Sequence, residues 1–190
     1  ALNTLDGWST VAPWSVPFSV EPATTSVVAG QGFRWFEVAL TGPGGAVTRI
    51  VRELVPNTDY VVSKTTSDPK VVAMVPLKPL KQLTSYMAVV TNQPADASGN
   101  NATPDQTYFL TQRTSPLCTG GVSTDPLLPN ATACALEPLR QLTNAQEAAA
   151  ASAGVDRSKI VVSFVATTQS NPYLNCAPPA RSVPQFPGSM

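Results

Sequence analysis

Alternation of apolar and polar residues at period two recurs along most of the chain. Residues 9–20 (STVAPWSVPFSV) place Val16, Phe18 and Val20 on one side. Pro13 and Pro17 inside that run predict an edge strand, because proline cannot donate to a ladder. Residues 33–40 (FRWFEVAL) set Phe36, Val38 and Leu40 on one face, with Trp35 and Glu37 on the other. A Gly-Pro-Gly-Gly turn at 42–45 then leads to a returning strand, VTRIVREL, at 47–54. Residues 60–63 and 71–75 flank a polar TTSDPK segment, as the arms of a hairpin do. Residues 85–91 (SYMAVVT) are dense in β-branched and aromatic side chains and form the strongest predicted strand. DASGNN at 96–101 reads as a turn, TYFLTQ at 107–112 as a strand, and IVVSFVATT at 160–168 as the closing strand. That last run carries Ile160, Val162, Phe164 and Ala166 on one face.

One stretch departs from this period. From Leu136 to Ala153 the residues are helix formers, and Leu136, Leu139, Leu142 and Ala149 fall on one stripe at three-to-four spacing. Pro138 suits a first helical turn and Gly154 the position past the end. The stripe predicts a helix that lies against the sandwich and caps one sheet edge or end, with Arg140, Gln141, Asn144 and Glu147 outward. On that reading Leu139→Asp costs several kcal/mol and Glu147→Gln little. The alternative is a mobile arm reserved for a downstream domain. The pattern therefore predicts a mainly β sandwich of about seven or eight strands, with one helix (about 136–153) inserted before the last. This domain spans residues 1–170, and a Pro-rich linker, 171–190, follows it.

Composition narrows the functional classes. Hydrophobic residues are 43% of the 190, enough for a sizeable core. Charged residues are only 13%, with twelve basic and twelve acidic side chains, so no basic footprint for nucleic acid or an anionic membrane is expected. No run approaches the roughly eighteen apolar residues of a membrane span. No export signal opens the chain at Ala1, so any such signal lies upstream.

The most informative count is that of histidine, which is zero. Ser-His-Asp and Cys-His catalysis are thereby excluded from this sequence, and the commonest zinc ligand is missing. No G-x-S-x-G elbow, Walker loop or dinucleotide-binding glycine motif occurs. Glu37 and Glu53 lie on strands that can pair and so could approach each other, although solvated strand positions explain them more simply. Asp96 and Asn100 look like part of a calcium loop, but the closing bidentate Glu is lacking and a turn with Gly99 or Asn100 left-handed suffices. Trp8, Trp14 and Trp35 are either a sugar-binding platform or core anchors. Asn101-Ala102-Thr103 and Asn130-Ala131-Thr132 match the glycosylation sequon, which matters only in a eukaryotic secretory route. Cys118 and Cys134 bracket a Gly-, Pro- and Asp-rich loop and read as a disulfide, the alternative being two unrelated thiols. Cys176 has no evident mate.

Several segments, in order, carry a resemblance: LNTLDGWSTVAPWSVPFS (2–19), FRWFEVAL, VRELVPNTDYVV (51–62), VPLKPLKQLTSYMAVVTNQPADASGNN (75–101) and LEPLRQLTNAQEAAAASAGVDRSKIVVSFVATTQS (136–170). Together they resemble the N-terminal domain of bacterial virulence-factor extracellular lipases and lysophospholipases. Leu83, Tyr86 and the 96–100 turn also resemble bacterial Ig-like domains, in which Tyr86 would bond nearby backbone as a tyrosine corner does. The resemblance implies an α/β-hydrolase domain beyond Met190, with no catalytic residue, metal or cofactor in this chain. It also implies export to the cell surface or medium, while no cysteine near Ala1 supports a lipid anchor. The expected role is a non-catalytic accessory domain that supports or positions the hydrolase domain. The alternative is an independent Ig-like binding module for glycan or envelope surface; an enzyme in its own right is disfavoured by the missing histidine. An exposed tryptophan cluster would favour binding, and one apolar patch facing the linker would favour docking.

Overall fold

The computed structural model describes residues 7–170, so the linker 171–190 and Cys176 lie outside the described residues. Nine strands and two α-helices are present among them. The strands are β1 (Trp14–Pro17), β2 (Phe33–Leu40), β3 (Val47–Glu53), β4 (Tyr60–Lys64), β5 (Val71–Pro76), β6 (Ser85–Thr91), β7 (Cys118–Thr119), β8 (Val122–Ser123) and β9 (Ile160–Thr167). The helices are α1 (Gln106–Thr111) and α2 (Asn130–Ser152). A three-stranded sheet, β1-β5-β4, faces a four-stranded sheet, β3-β2-β6-β9, and every pairing within them is antiparallel.

Two cores follow from the alternation. Trp14, Val16, Phe33, Trp35, Tyr60, Val72, Met74, Tyr86, Ala88 and Val90 fill the space between the sheets. Trp35 is its hub, with ring centroids 5.0 Å from Trp14, 5.7 Å from Tyr60 and 6.5 Å from Tyr86. The opposite residues of the same strands, Phe36, Val38, Met87 and Val89, form a second core with Tyr108, Ala149, Ala150, Val155 and Ile160. The helices thus cover the outer face of the larger sheet, making a third layer. This explains why β6, the strand with the densest apolar run, is buried on both faces. In β9 a bulge opposite Val90 and Thr91 separates the faces, so Ile160 joins the helical side while Val162, Phe164 and Ala166 face the sandwich.

Three sequence expectations are corrected here. Residues 107–112 are not a strand but form most of α1. Asp105 caps that helix, its Oδ1 accepting the Tyr108 N–H at 2.7 Å, and this local bond outweighs the β-branched composition of the run. The second helix begins six residues earlier than expected, at Asn130, so Pro138 lies in its interior and supplies no N–H for the Cys134 carbonyl. Its orientation also differs. Leu139 is 45% exposed, whereas Arg140 and Glu147 are 8% and 0% exposed. The cause is the neighbour on that side: the carbonyls of Thr111, Gln112, Arg113 and Thr114, where α1 ends, need donors. Asn144 Nδ2 donates to Thr111 and Arg113, Arg140 Nη1 to Arg113 and Thr114, and Arg157 Nη2 to Gln112, all at 3.0–3.1 Å.

The small strands β7 and β8 were not anticipated. They form a hairpin closed by Gly120 and Gly121, both at positive φ (59° and 82°), as a two-residue type I′ turn requires.

Candidate docking surface

The residues singled out for chemistry do not converge. Glu37 and Glu53 lie on opposite faces of β2 and β3, because Glu53 pairs with Phe36 and Glu37 with Arg52. Glu53 holds Arg34 through both oxygens, at 2.7 and 2.6 Å. Burial pushes the Glu37 carboxyl up, but hydrogen bonds from Lys81 (2.9 Å) and Arg52 (3.2 Å) outweigh it and hold the pKa below its ordinary value. The Asp96 oxygens are spent on its own turn: they accept from Ser98 N, Asn100 N and Asn100 Nδ2 at 2.8–2.9 Å. No cluster of three or more His, Cys, Asp or Glu side chains suited to a metal occurs among the described residues. Trp14 and Trp35 are 3% and 0% exposed, so the three tryptophans make no surface platform. The Tyr86 hydroxyl accepts the Lys81 N–H at 3.0 Å. Cys118 and Cys134 form a disulfide spanning sixteen positions and tie the β7–β8 hairpin to the second turn of α2.

Sequence reasoning missed a buried polar network centred on Glu147. Its Oε1 accepts from Tyr108 (3.1 Å) and Gln112 Nε2 (2.8 Å), and its Oε2 from Arg157 Nε (2.7 Å). The Tyr108 hydroxyl also meets Ser163, whose own hydroxyl donates to Gln146 Oε1. Burial pushes the Tyr108 phenol far up, so it stays a protonated donor and not a base. The network joins α1, α2 and β9.

Beside it, Arg140 grips Glu137 at 2.7 and 2.9 Å, and Glu137 also accepts the Leu117 N–H at 2.7 Å. The Arg140 hydrogen bond leads in lowering the Glu137 pKa from 4.5 to about 2. A depressed folded-state pKa stabilises fully above the unfolded value and is lost as pH falls through the folded one. Glu137 therefore contributes on the order of 3 kcal/mol above pH 4.5 that disappears toward pH 2. Urea unfolding of Glu137→Gln should show a shallower loss of stability over that window than the parent; equal slopes would contradict the assignment.

The surface offers two distinct ends. At one, a cleft of about 450 Å³ lies between the edge strands β1 and β9 and the loop 94–105, lined by Val16, Phe18, Pro94, Asn101, Val161 and Val162. At the other, three separate segments run side by side. Trp8 N donates to Thr167 O and Gln169 N to Trp8 O, both at 2.8 Å. Thr168 exchanges bonds with Thr84 on its other side, and Leu80 N donates to Thr10 O. These segments carry Trp8, Val11, Leu77 and Leu83, which are 59%, 60%, 50% and 67% exposed. Lys78 and Lys81 border them, paired with Asp59 and Glu37. The described chain leaves β9 at this end.

The family described as bacterial virulence factor lipase N-terminal matches residues 1–178 of the chain. No curated protein matches it.

Proposed function

Because the chain belongs to the bacterial virulence factor lipase N-terminal family, we propose that it is the non-catalytic accessory domain of a secreted lipase or lysophospholipase. In that role it mounts and orients an α/β-hydrolase domain carried later in the same polypeptide. The observation that carries the reading is how the chain leaves the fold. β9 is hydrogen-bonded along its length to β6, and at its end Trp8 and Thr84 clamp Thr167–Gln169 from both sides. Residues 171–190 therefore start from a firm sheet edge.

Two further points support it. The full sequence has no histidine, and its buried Glu37 and Glu147 are committed to ion pairs. The Cys118–Cys134 disulfide suits an oxidising compartment outside the cytoplasm, and among the described residues no helix is long and apolar enough to cross a membrane.

Purified chain is expected to leave p-nitrophenyl esters and lysophospholipid intact. Turnover that survives repurification and vanishes on mutating a residue of this chain would overturn the proposal.

A further inference from the structure

The apolar side chains at the chain exit are exposed although the fold has no use for them there. Leu83 is the clearest case. It adopts φ +49°, a left-handed conformation that disfavours a branched side chain and suits Gly or Asn. Its side chain is nevertheless 67% exposed, so intradomain burial gives little in return. A residue that is costly in backbone conformation and unrewarded in packing points to a contact outside the domain. Trp8 repeats the pattern: its backbone is held on β9 by two hydrogen bonds while its ring is 59% exposed, in contrast to the buried Trp14 and Trp35. Large aromatic side chains displayed on rigid backbone are the usual anchors of protein interfaces.

We infer that Trp8, Val11, Leu77 and Leu83 form the docking surface for the lipase domain of the same polypeptide. This deepens the accessory reading above and rests on it. The occupant follows from continuity: the chain exits β9 between the backbone of Trp8 and that of Thr84, so the tether to the next domain, residues 171–190, starts at the edge of the patch. A tether of that kind gives the neighbouring domain a high effective concentration at this surface, whereas any untethered partner must compete with it. Lys78 and Lys81 pair with Asp59 and Glu37, carboxylates that also hold Arg52, so the patch is apolar with a charged, ion-paired rim, as a protein interface is.

Hydroxyl-radical footprinting of the full-length gene product and of the 190-residue chain tests this directly. Trp8, Val11, Leu77 and Leu83 should be oxidised several-fold more slowly in the full-length protein, with Phe18 in the far cleft unchanged. Trp8→Ser combined with Leu83→Asn should abolish the protection of Val11 and Leu77 in the full-length protein. The same pair should leave the urea midpoint of the isolated chain unchanged or raised, since asparagine accepts the left-handed backbone. Equal oxidation in both proteins overturns docking. So does protection of the isolated chain that depends on its concentration, which marks a second copy, or on added phospholipid vesicles, which marks a lipid surface. If deleting the domain costs lipase yield or activity while oxidation is equal, docking alone fails; if deletion costs nothing, the accessory reading fails beneath it.

Discussion

Replacing Glu147 with alanine is expected to lower the unfolding free energy by about 3–5 kcal/mol, the range found when one partner of a buried ion pair is removed. The Glu147 side chain is fully buried and holds Arg157, Tyr108 and Gln112 at once. Its loss leaves the Tyr108 hydroxyl with Ser163 and one Gln112 bond unmade, and strips Arg157 of its carboxylate. Arg157 is 35% exposed and can recover water, which places the effect at the lower end of the range. Leu139→Asp is the matched control. Leu139 is 45% exposed, so its replacement should cost no more than about 0.5–1 kcal/mol. Urea unfolding of the two variants reads the orientation of α2. A large loss for Leu139→Asp with a small one for Glu147→Ala would restore the apolar-stripe orientation.

Removing the disulfide, by Cys118→Ser with Cys134→Ser, is expected to cost about 3 kcal/mol, the chain-entropy value for a loop of this size. The loop it closes, residues 119–133, contributes one fully buried side chain, the small Ala133, and is otherwise held by Arg113–Asp125 and by Thr124 N donating to Leu117 O. The sequence between the two cysteines holds few apolar residues that are buried, and Val122 and Leu127 are 58% and 92% exposed. The covalent link therefore substitutes for packing. A reductant should reproduce the variant's shift in urea midpoint; a midpoint indifferent to both would show that the loop is held without it.

How much of this was legible depends on which forces dominate locally. Period-two alternation located β2 through β6 and β9 because the sandwich buries alternate side chains. Alternation failed at 107–112, where one Asp105 side chain decides the conformation by a bond that composition does not weigh. It failed again on α2. The rule that an apolar stripe faces inward assumes an apolar neighbour, whereas half of this helix meets the end of α1, whose carbonyls call for the guanidinium and amide groups of Arg140, Asn144 and Arg157. That this sequence cannot supply a Ser-His-Asp or Cys-His centre is legible in one count, that of histidine. The exit surface was not, because Trp8, Leu77 and Leu83 are far apart in sequence and only the bonds through Thr10, Thr84, Thr167 and Gln169 bring them to one end.

In the proposed role this domain serves a hydrolase domain carried later in the same polypeptide. Comparing the secreted yield and specific lipase activity of the full-length gene product with a form lacking residues 1–170 tests it most directly. The deleted form should still contain the hydrolase machinery but be recovered in lower yield, work more slowly on lipid substrate, or both. A deleted form secreted equally well with the same kcat/KM would contradict it.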